Sequence, residues 1–110
     1  PAVVEIQRDP QEPQELHRGR VLVEGYDYAL RAYTFRKQGK DEVKFTLKPI
    51  APQINPVFLI NGWKTPQVGI SVNGKKLKQG DFYSQISGHD LVVWVKGQFD
   101  KPTKFEFLTD

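Results

Sequence analysis

This chain of 110 residues contains no cysteine and no methionine, and it has only two histidines. The lack of cysteine excludes disulfides, thiol nucleophiles and thiolate metal sites. It does not decide the compartment, because a domain of this size can be stable without disulfides. No uninterrupted apolar run approaches the roughly 18 residues of a membrane-spanning helix. The composition therefore argues against thiol chemistry and against a helical membrane span.

Methionine is absent from position 1 as well, where the chain begins Pro-Ala-Val-Val. We therefore expect a processed product or a piece of a longer protein, and we favour the second because small β domains often accompany others. A signal peptide removed by cleavage would leave no trace in this sequence.

Charge is nearly balanced, with 16 Lys and Arg against 13 Asp and Glu, a net charge of +3 and a pI of about 9.2. A nucleic-acid-binding domain usually carries a denser basic stripe, so we expect no nucleic-acid partner. The mild positive charge suits an acidic partner without requiring one. The 38% hydrophobic and 12% aromatic content is enough for an ordinary core and argues against disorder.

Short segments of alternating apolar and polar residues dominate the chain. The clearest is 42–48, EVKFTLK, in which Val43, Phe45 and Leu47 would face inward. The segment 28–37, YALRAYTFRK, also permits a helix, but its aromatic and β-branched residues favour a strand. We expect residues 28–48 to form a hairpin, after a turn at residues 25–27.

Two apolar runs, Pro56–Ile60 and Leu91–Val95, predict buried strands, and Trp94 in the second run is expected in the core. Between them, Asn73-Gly74 is the strongest hairpin signal, because a type I′ turn needs positive φ at both central residues. The proline-rich segment 49–56 cannot be regular and should carry the chain from one sheet to another.

These patterns predict an all-β fold, an antiparallel two-sheet β-sandwich of eight or nine short strands, immunoglobulin-like or jelly-roll-like. Residues 16–110 would form the sandwich. Residues 1–15 would be an N-terminal strand or a linker. Two possibilities stay open there: a first strand at 2–6 followed by a surface loop, or a linker over 7–15.

Catalytic signals are weak. The two histidines, His17 and His89, lie far apart in polar surroundings, and no nucleophile elbow, His-Glu-x-x-His or phosphate-binding loop is present. Three aspartates, Asp81, Asp90 and Asp100, lie in turns or loops but do not cluster as calcium ligands do. We therefore expect no catalytic activity within this chain, no cofactor and no metal.

Aromatic residues in polar segments are the better candidates for binding. Trp63 lies in a loop and Tyr83 in the polar strand FYSQ, and sugar rings stack on such side chains. Tyr26 and Tyr28 could extend the platform. The alternative for Trp63 is that it caps one end of the core.

Lysines form the densest basic patch near the predicted hairpin. Lys75 and Lys76, with Lys64 on a nearby loop, could attract an acidic glycan such as a uronate or a sulfated sugar. The alternative is that lysines on an edge hairpin prevent edge-to-edge aggregation. Both alternatives stay open at the level of sequence.

Residues 71–107 resemble the β-sandwich accessory domains at the ends of secreted bacterial polysaccharide-degrading enzymes. The likeness covers about a third of the chain and consists of turn and core patterns, so it carries no binding residue. The matching residues are Val72, Asn73, Gly74, Lys75, Leu77, Gly80, Asp81, Phe82 and Leu91 to Trp94.

Together, the residues and the resemblance lead to one main hypothesis. The chain would be a non-catalytic accessory module of a carbohydrate-active protein, extracellular or periplasmic, with a glycan as partner. The alternative is a structural domain that packs on a neighbouring domain or subunit without its own ligand.

Overall fold

The computed structural model describes residues 2–6 and 21–109, which form two five-stranded sheets packed face to face. The predicted two-sheet sandwich is therefore confirmed, although the described residues form twelve strands and not eight or nine. There is no helix in these residues that could cross a membrane. The strands are β1 (Ala2–Ile6), β2 (Val21–Asp27), β3 (Ala32–Lys37), β4 (Glu42–Pro49), β5 (Gln53–Ile54), β6 (Val57–Asn61), β7 (Gly69–Val72), β8 (Lys75–Lys76), β9 (Phe82–Ser87), β10 (Asp90–Val95), β11 (Gln98–Phe99) and β12 (Thr103–Leu108).

The first sheet has the order β1-β4-β12-β7-β8, and the second has the order β2-β3-β6-β10-β9. Among the described strands, neighbours pair antiparallel except for β3 and β6, which run parallel. The short strands β5 and β11 pair with each other outside both sheets. The segment at 49–56 connects β4 of the first sheet with β6 of the second, as predicted. It is not wholly irregular, however, because Pro49 ends β4 and Gln53–Ile54 forms β5.

Alternation along the strands decides which side chains fill the space between the sheets. In β4, Val43, Phe45 and Leu47 are fully buried, as the sequence pattern predicted. Phe105 and Phe107 of β12 lie beside them in the first sheet, since Phe105 is opposite Phe45 in the register. Every second residue of these strands therefore has an apolar side chain that is buried away from water. Burial of apolar surface is the dominant stabilising term in folding.

The predicted hairpin over residues 28–48 is wrong. β3 and β4 lie in different sheets, and their inward side chains face each other across the core, with the rings of Phe35 and Phe45 4.8 Å apart. Alternation shows which face of a strand is buried but not which sheet the strand joins. β3 instead pairs with β2 and β6.

The predicted turn at residues 25–27 is also wrong, because these residues continue β2 after a bulge between Val23 and Gly25. The turn comes later, at residues 28–31, which were expected to begin the next strand. A glycine with φ of +109° at Gly25 fits a bulge as well as a turn, so the sequence signal was ambiguous.

The hairpin at Asn73-Gly74 is confirmed. Both residues have positive φ, 51° and 82°, as a type I′ turn requires. Its position is fixed by Lys104 of β12, whose N–H donates to Asn73 Oδ1 at 2.9 Å while its carbonyl accepts from the Asn73 N–H.

The connections lie at two ends of the sandwich. Because β3 and β6 are parallel and β10 and β9 pair in register with β6, the loop at 28–31, the start of β6 and Tyr83 share one end, which we call the tyrosine end. The turn at 38–41, the loop at 62–68 and the turn at 88–89 share the other end, which we call the tryptophan end.

At its N-terminal side, the segment Ala2–Ile6 forms β1 and pairs with β4 in the first sheet. The expectations for residues 7–15, as a linker or loop, and for the start of the sandwich at residue 16 lie outside the described residues.

Gly62 offers a test of backbone packing at the tryptophan end. It has φ of +94°, and a Cβ there would lie 2.4 Å from the carbonyl oxygen of Lys37, whereas Gly74 has φ of +82° and open space around it. We expect Gly74→Ala to cost about 1–2 kcal/mol for the left-handed backbone alone. Gly62→Ala should cost at least about 1 kcal/mol more, because the backbone must also move.

Urea unfolding of both variants measures this difference. Equal losses of unfolding free energy in the two variants would contradict the close approach of Gly62 to Lys37.

Candidate functional site

Trp63, the first aromatic residue proposed to stack on a sugar, is buried, with 1% of its surface exposed. Its indole Nε1–H donates to the carbonyl oxygen of Gln67 at 3.1 Å. Its backbone N–H donates to the carbonyl of His89 at 3.0 Å. A ring in this position fills the core at the tryptophan end and offers no face to a ligand, as the capping alternative proposed.

A buried ion pair holds the loop that carries Trp63. Lys37 Nζ lies 2.9 Å from Asp41 Oδ1, and the side chains are 0% and 2% exposed. The same ammonium donates to the carbonyls of Gly39 and Gly62 at 3.1 and 3.2 Å, and it lies 5.8 Å from the centre of the Trp63 ring. Every proton of the ammonium therefore has an acceptor, which a buried charge requires.

Asp41 also accepts hydrogen bonds from the backbone of the loop that carries Trp63. Its carboxylate accepts from the backbone N–H groups of Lys64, at 3.0 Å, and Thr65, at 2.7 Å. Burial by itself raises the pKa of Asp41, but hydrogen bonds from Lys37, Lys64 and Thr65 outweigh it and hold the pKa below its ordinary value. The pair is saturated by its own loop, so its role is to fix that loop.

The three proposed lysines do not lie together. All three are exposed, but Lys64 lies at the tryptophan end, whereas Lys75 and Lys76 lie on β8, at an edge of the first sheet. Tyr83, which is 63% exposed, lies on β9 at the tyrosine end. The structure therefore divides the predicted sugar-binding set among the tryptophan end, the tyrosine end and the edge at β8.

Trp94 is not in the core between the sheets, where it was expected. Leu91, Val93 and Val95 of β10 take those positions, and Trp94 is half-buried on the outer face of the second sheet, opposite Tyr83 in the register. An apolar run is compatible with either alternation, so the sequence alone did not assign its faces.

A depression of about 480 Å³ at the tyrosine end brings together a different set of side chains: Tyr26, Tyr28, Arg31 and Gln53. Tyr28 is 73% exposed. Tyr26 is half-buried, and its ring lies 5.0 Å from that of Tyr28 in an edge-to-face arrangement at 78°. Tyr26 and Tyr28 were the residues expected to extend an aromatic platform.

The loop at 28–31 has its shape from two local features. Asp27 Oδ1 accepts hydrogen bonds from the backbone N–H groups of Ala29 and Leu30, at 2.9 and 3.1 Å, which is the Asx-type turn that aspartate favours. Arg31 then has φ of 54°, a left-handed conformation that is uncommon for a residue other than glycine. Together they place Tyr28 and Arg31 on the rim of the depression.

Gln53, which also lines the depression, is held in place by the protein itself. Its amide oxygen accepts from the hydroxyl of Tyr33, and its amide nitrogen donates to the carbonyl of Ala51 at 2.9 Å. Burial, with Tyr26 and Tyr28 close by, raises the pKa of Tyr33 to about 12 despite an opposing hydrogen bond with the backbone of Ala2. Tyr33 therefore stays a neutral donor, and the orientation of Gln53 is fixed.

This arrangement has the elements of a shallow binding site. An exposed aromatic ring, a guanidinium and a fixed amide can bind a polar ring with an apolar face. Within residues 2–6 and 21–109, no three histidine or carboxylate side chains come together as metal ligands. His89 is exposed in the turn between β9 and β10, and His17 lies outside the described residues.

Sequence reasoning missed Arg31 and Gln53. Arg31 carries no local motif that distinguishes it from other arginines. Gln53 belongs to the connection between the sheets, so only the folded chain brings it to the tyrosines.

Comparisons with known proteins identify no family. No family model, no curated protein and no solved structure matches this chain.

Asp41 gives a pH-dependent test of the buried network. The pKa of this carboxyl is lower in the folded chain than its ordinary value of 3.8, so unfolding takes up a proton as the pH falls below that value. The contribution of Asp41 to stability is thus fully present above about pH 5 and is lost as the pH falls through the folded pKa. Asp41→Asn should remove this dependence and, above pH 5, cost about 3–5 kcal/mol, because Lys37 loses its counter-charge.

Chemical unfolding between pH 2 and pH 7 checks both effects. The control is Asp100→Asn, at an exposed loop position, which should change stability by less than about 0.5 kcal/mol at pH 7. An Asp41→Asn protein with unchanged stability above pH 5 would contradict the structural role of the pair.

Proposed function

We propose that this chain is a non-catalytic accessory module that binds a glycan at the tyrosine end, as part of an extracellular or periplasmic carbohydrate-active protein. The observation that carries the proposal is the depression lined by Tyr26, Tyr28, Arg31 and Gln53. A tyrosine that leaves 73% of its surface in water without contributing to the core is available for a ligand.

The chemistry of the rim favours an acidic sugar. The exposed ring of Tyr28 provides a surface for the apolar face of a sugar ring. Arg31 is exposed beside it, and its planar guanidinium can form two parallel hydrogen bonds with a carboxylate or a sulfate. The net charge of +3 on the whole chain acts in the same direction by attracting polyanions.

A second candidate function, packing on a neighbouring domain, is favoured by a different observation. Exposed apolar side chains also occur near the depression: Leu30 is 57% exposed, Ile50 is 78% exposed and Ile54 is 69% exposed. These aliphatic residues provide no hydrogen bonds to a sugar, but they suit a dry protein interface. Glycan binding therefore depends on Tyr28 and Arg31, whereas domain packing depends on the exposed aliphatic residues.

Binding measurements with single variants test the glycan proposal. We expect Tyr28→Ala to weaken binding of an oligogalacturonate by about tenfold or more, as for an aromatic residue at the centre of a small site. Arg31→Lys should weaken the same interaction and leave binding of a neutral galacto-oligosaccharide unchanged, because lysine keeps the charge but loses the two-point contact. Isothermal titration calorimetry gives both affinities.

Tyr83→Ala is the matched control, because it removes an exposed tyrosine from β9, at the opposite edge of the second sheet from β2. It should bind as the unchanged protein does. Loss of binding in Tyr83→Ala but not in Tyr28→Ala would overturn the assignment of the site. Failure of the unchanged chain to bind acidic or neutral glycans would overturn the function.

A double variant, Ile50→Ser with Ile54→Ser, separates the glycan site from the exposed aliphatic residues. It should leave glycan affinity unchanged if the depression is the functional site.

A further inference from the structure

β9 forms one edge of the second sheet and differs from the other edge strands. Its sequence, Phe82-Tyr83-Ser84-Gln85-Ile86-Ser87, has no charged residue and no proline, and its register with β10 is continuous. Natural edge strands are usually protected from pairing by charge, proline, a bulge or shortness. Each of the other edges has such a device: β8 is two lysines, β1 carries Glu5, and β2 carries Glu24 and a bulge.

The direction of the backbone groups in β9 follows from the ladder. Lys96 N–H donates to the carbonyl of Asp81 at 2.9 Å, so this pair is hydrogen-bonded. Antiparallel pairs alternate, and the bonded positions of β9 are therefore Tyr83, Gln85 and Ser87. The N–H and C=O groups of the three residues between them, Phe82, Ser84 and Ile86, point away from β10. No described strand lies on that side.

These three residues are arranged symmetrically about Ser84. In an antiparallel pair of two β9 strands with Ser84 on the two-fold axis, Phe82 of each copy lies opposite Ile86 of the other. All three open positions then become hydrogen-bonded pairs, with two bonds in each pair and about six in all. Opposed residues in this register point to the same face, so the half-buried Phe82 and Ile86, which pack against the core, would extend it.

The side chains on the outer face of the sheet are also compatible with this two-fold pairing. Tyr83 of one copy would lie opposite Gln85 of the other, and Ser87 opposite Asp81, so no like charges meet directly. A two-fold axis requires this kind of self-complementarity.

We propose that β9 is a dimerisation edge, at which a second copy of this chain adds in antiparallel register about Ser84 to form one continuous ten-stranded sheet. The interface is small, so the dimer is weak and forms at high protein concentration or where copies are held together. This proposal is independent of glycan binding, because β2 and the depression are on the opposite side of the sheet.

Sedimentation equilibrium from low micromolar to about 1 mM protein measures the association directly. Hydrogen exchange over the same range provides a residue-level signature. With increasing concentration, the amides of Phe82, Ser84 and Ile86 should exchange more slowly, whereas those of Tyr83 and Gln85 are already bonded within the chain and should not change.

Ser84→Pro removes the N–H at the two-fold axis without removing a bond to β10. The variant should keep the thermal unfolding midpoint within a few degrees of the unchanged protein and remain monomeric throughout. The control is Val3→Lys on β1, another edge strand, at which Val3 is 54% exposed. It should associate like the unchanged protein.

A charge exchange tests the register itself and does not depend on proline. Ser84→Asp and Ser84→Lys proteins should each remain monomeric, because like charges would meet at the axis, and an equimolar mixture should associate. A monomeric unchanged protein at every concentration would overturn the proposal. So would association that survives Ser84→Pro, or a mixture of charge variants that stays monomeric.

Discussion

Phenylalanine rings between the two sheets are the interaction on which the rest of this structure depends. Phe45 of the first sheet has ring contacts with Phe35 and Phe58 of the second at 4.8 and 5.2 Å. Phe105, beside it in the first sheet, is 5.1 Å from Phe58. Each fully buried side chain of this size contributes about 1.5–3 kcal/mol, and the tilted arrangements suit the charge distribution of the rings. Strands that share no hydrogen bond are held together in this way.

The ion pair of Lys37 and Asp41 solves a separate problem at one end of that core. A change of sheet between β3 and β4 leaves polar loop backbone beside apolar rings, and unpaired backbone groups there would be costly. Asp41 accepts from two backbone N–H groups and Lys37 donates to two carbonyls, so the pair completes the hydrogen bonding of the loop. Trp63 can then close the core because its surroundings are fixed.

At the opposite end, the same fold leaves side chains that do not contribute to the core. Tyr28 contributes little to the core, although its loop is shaped by Asp27 and by the strained backbone of Arg31. A defined loop that exposes an aromatic ring is better suited to binding than to stability. The unprotected edge at β9 is a second feature that the core does not explain. The depression and the β9 edge lie at opposite edges of the second sheet, so one chain can bind a ligand and a second copy at the same time.

Much of the fold could be predicted from the sequence, because local patterns report burial. The alternation in 42–48, the Asn73-Gly74 turn and the two apolar runs each correspond to a strand or a turn in the structure. Less of the candidate site could be predicted. Tyr26 and Tyr28 were identified as aromatic residues in a polar segment, whereas Arg31 and Gln53 carried no local signal.

The sequence by itself determined most of the strands, the inward faces of those that alternate, and the turn at Asn73-Gly74, because period-two alternation and the demand for positive φ act over a few residues. Tertiary structure alone decided that β3 and β4 join different sheets, that Trp63 is buried while Trp94 faces outward, and that Gln53 lines the same depression as Tyr28. These outcomes depend on which distant strands pair, and pairing is settled by how the whole core packs. A local pattern specifies that a side chain is buried, but only the assembled sheets specify which residues it packs against.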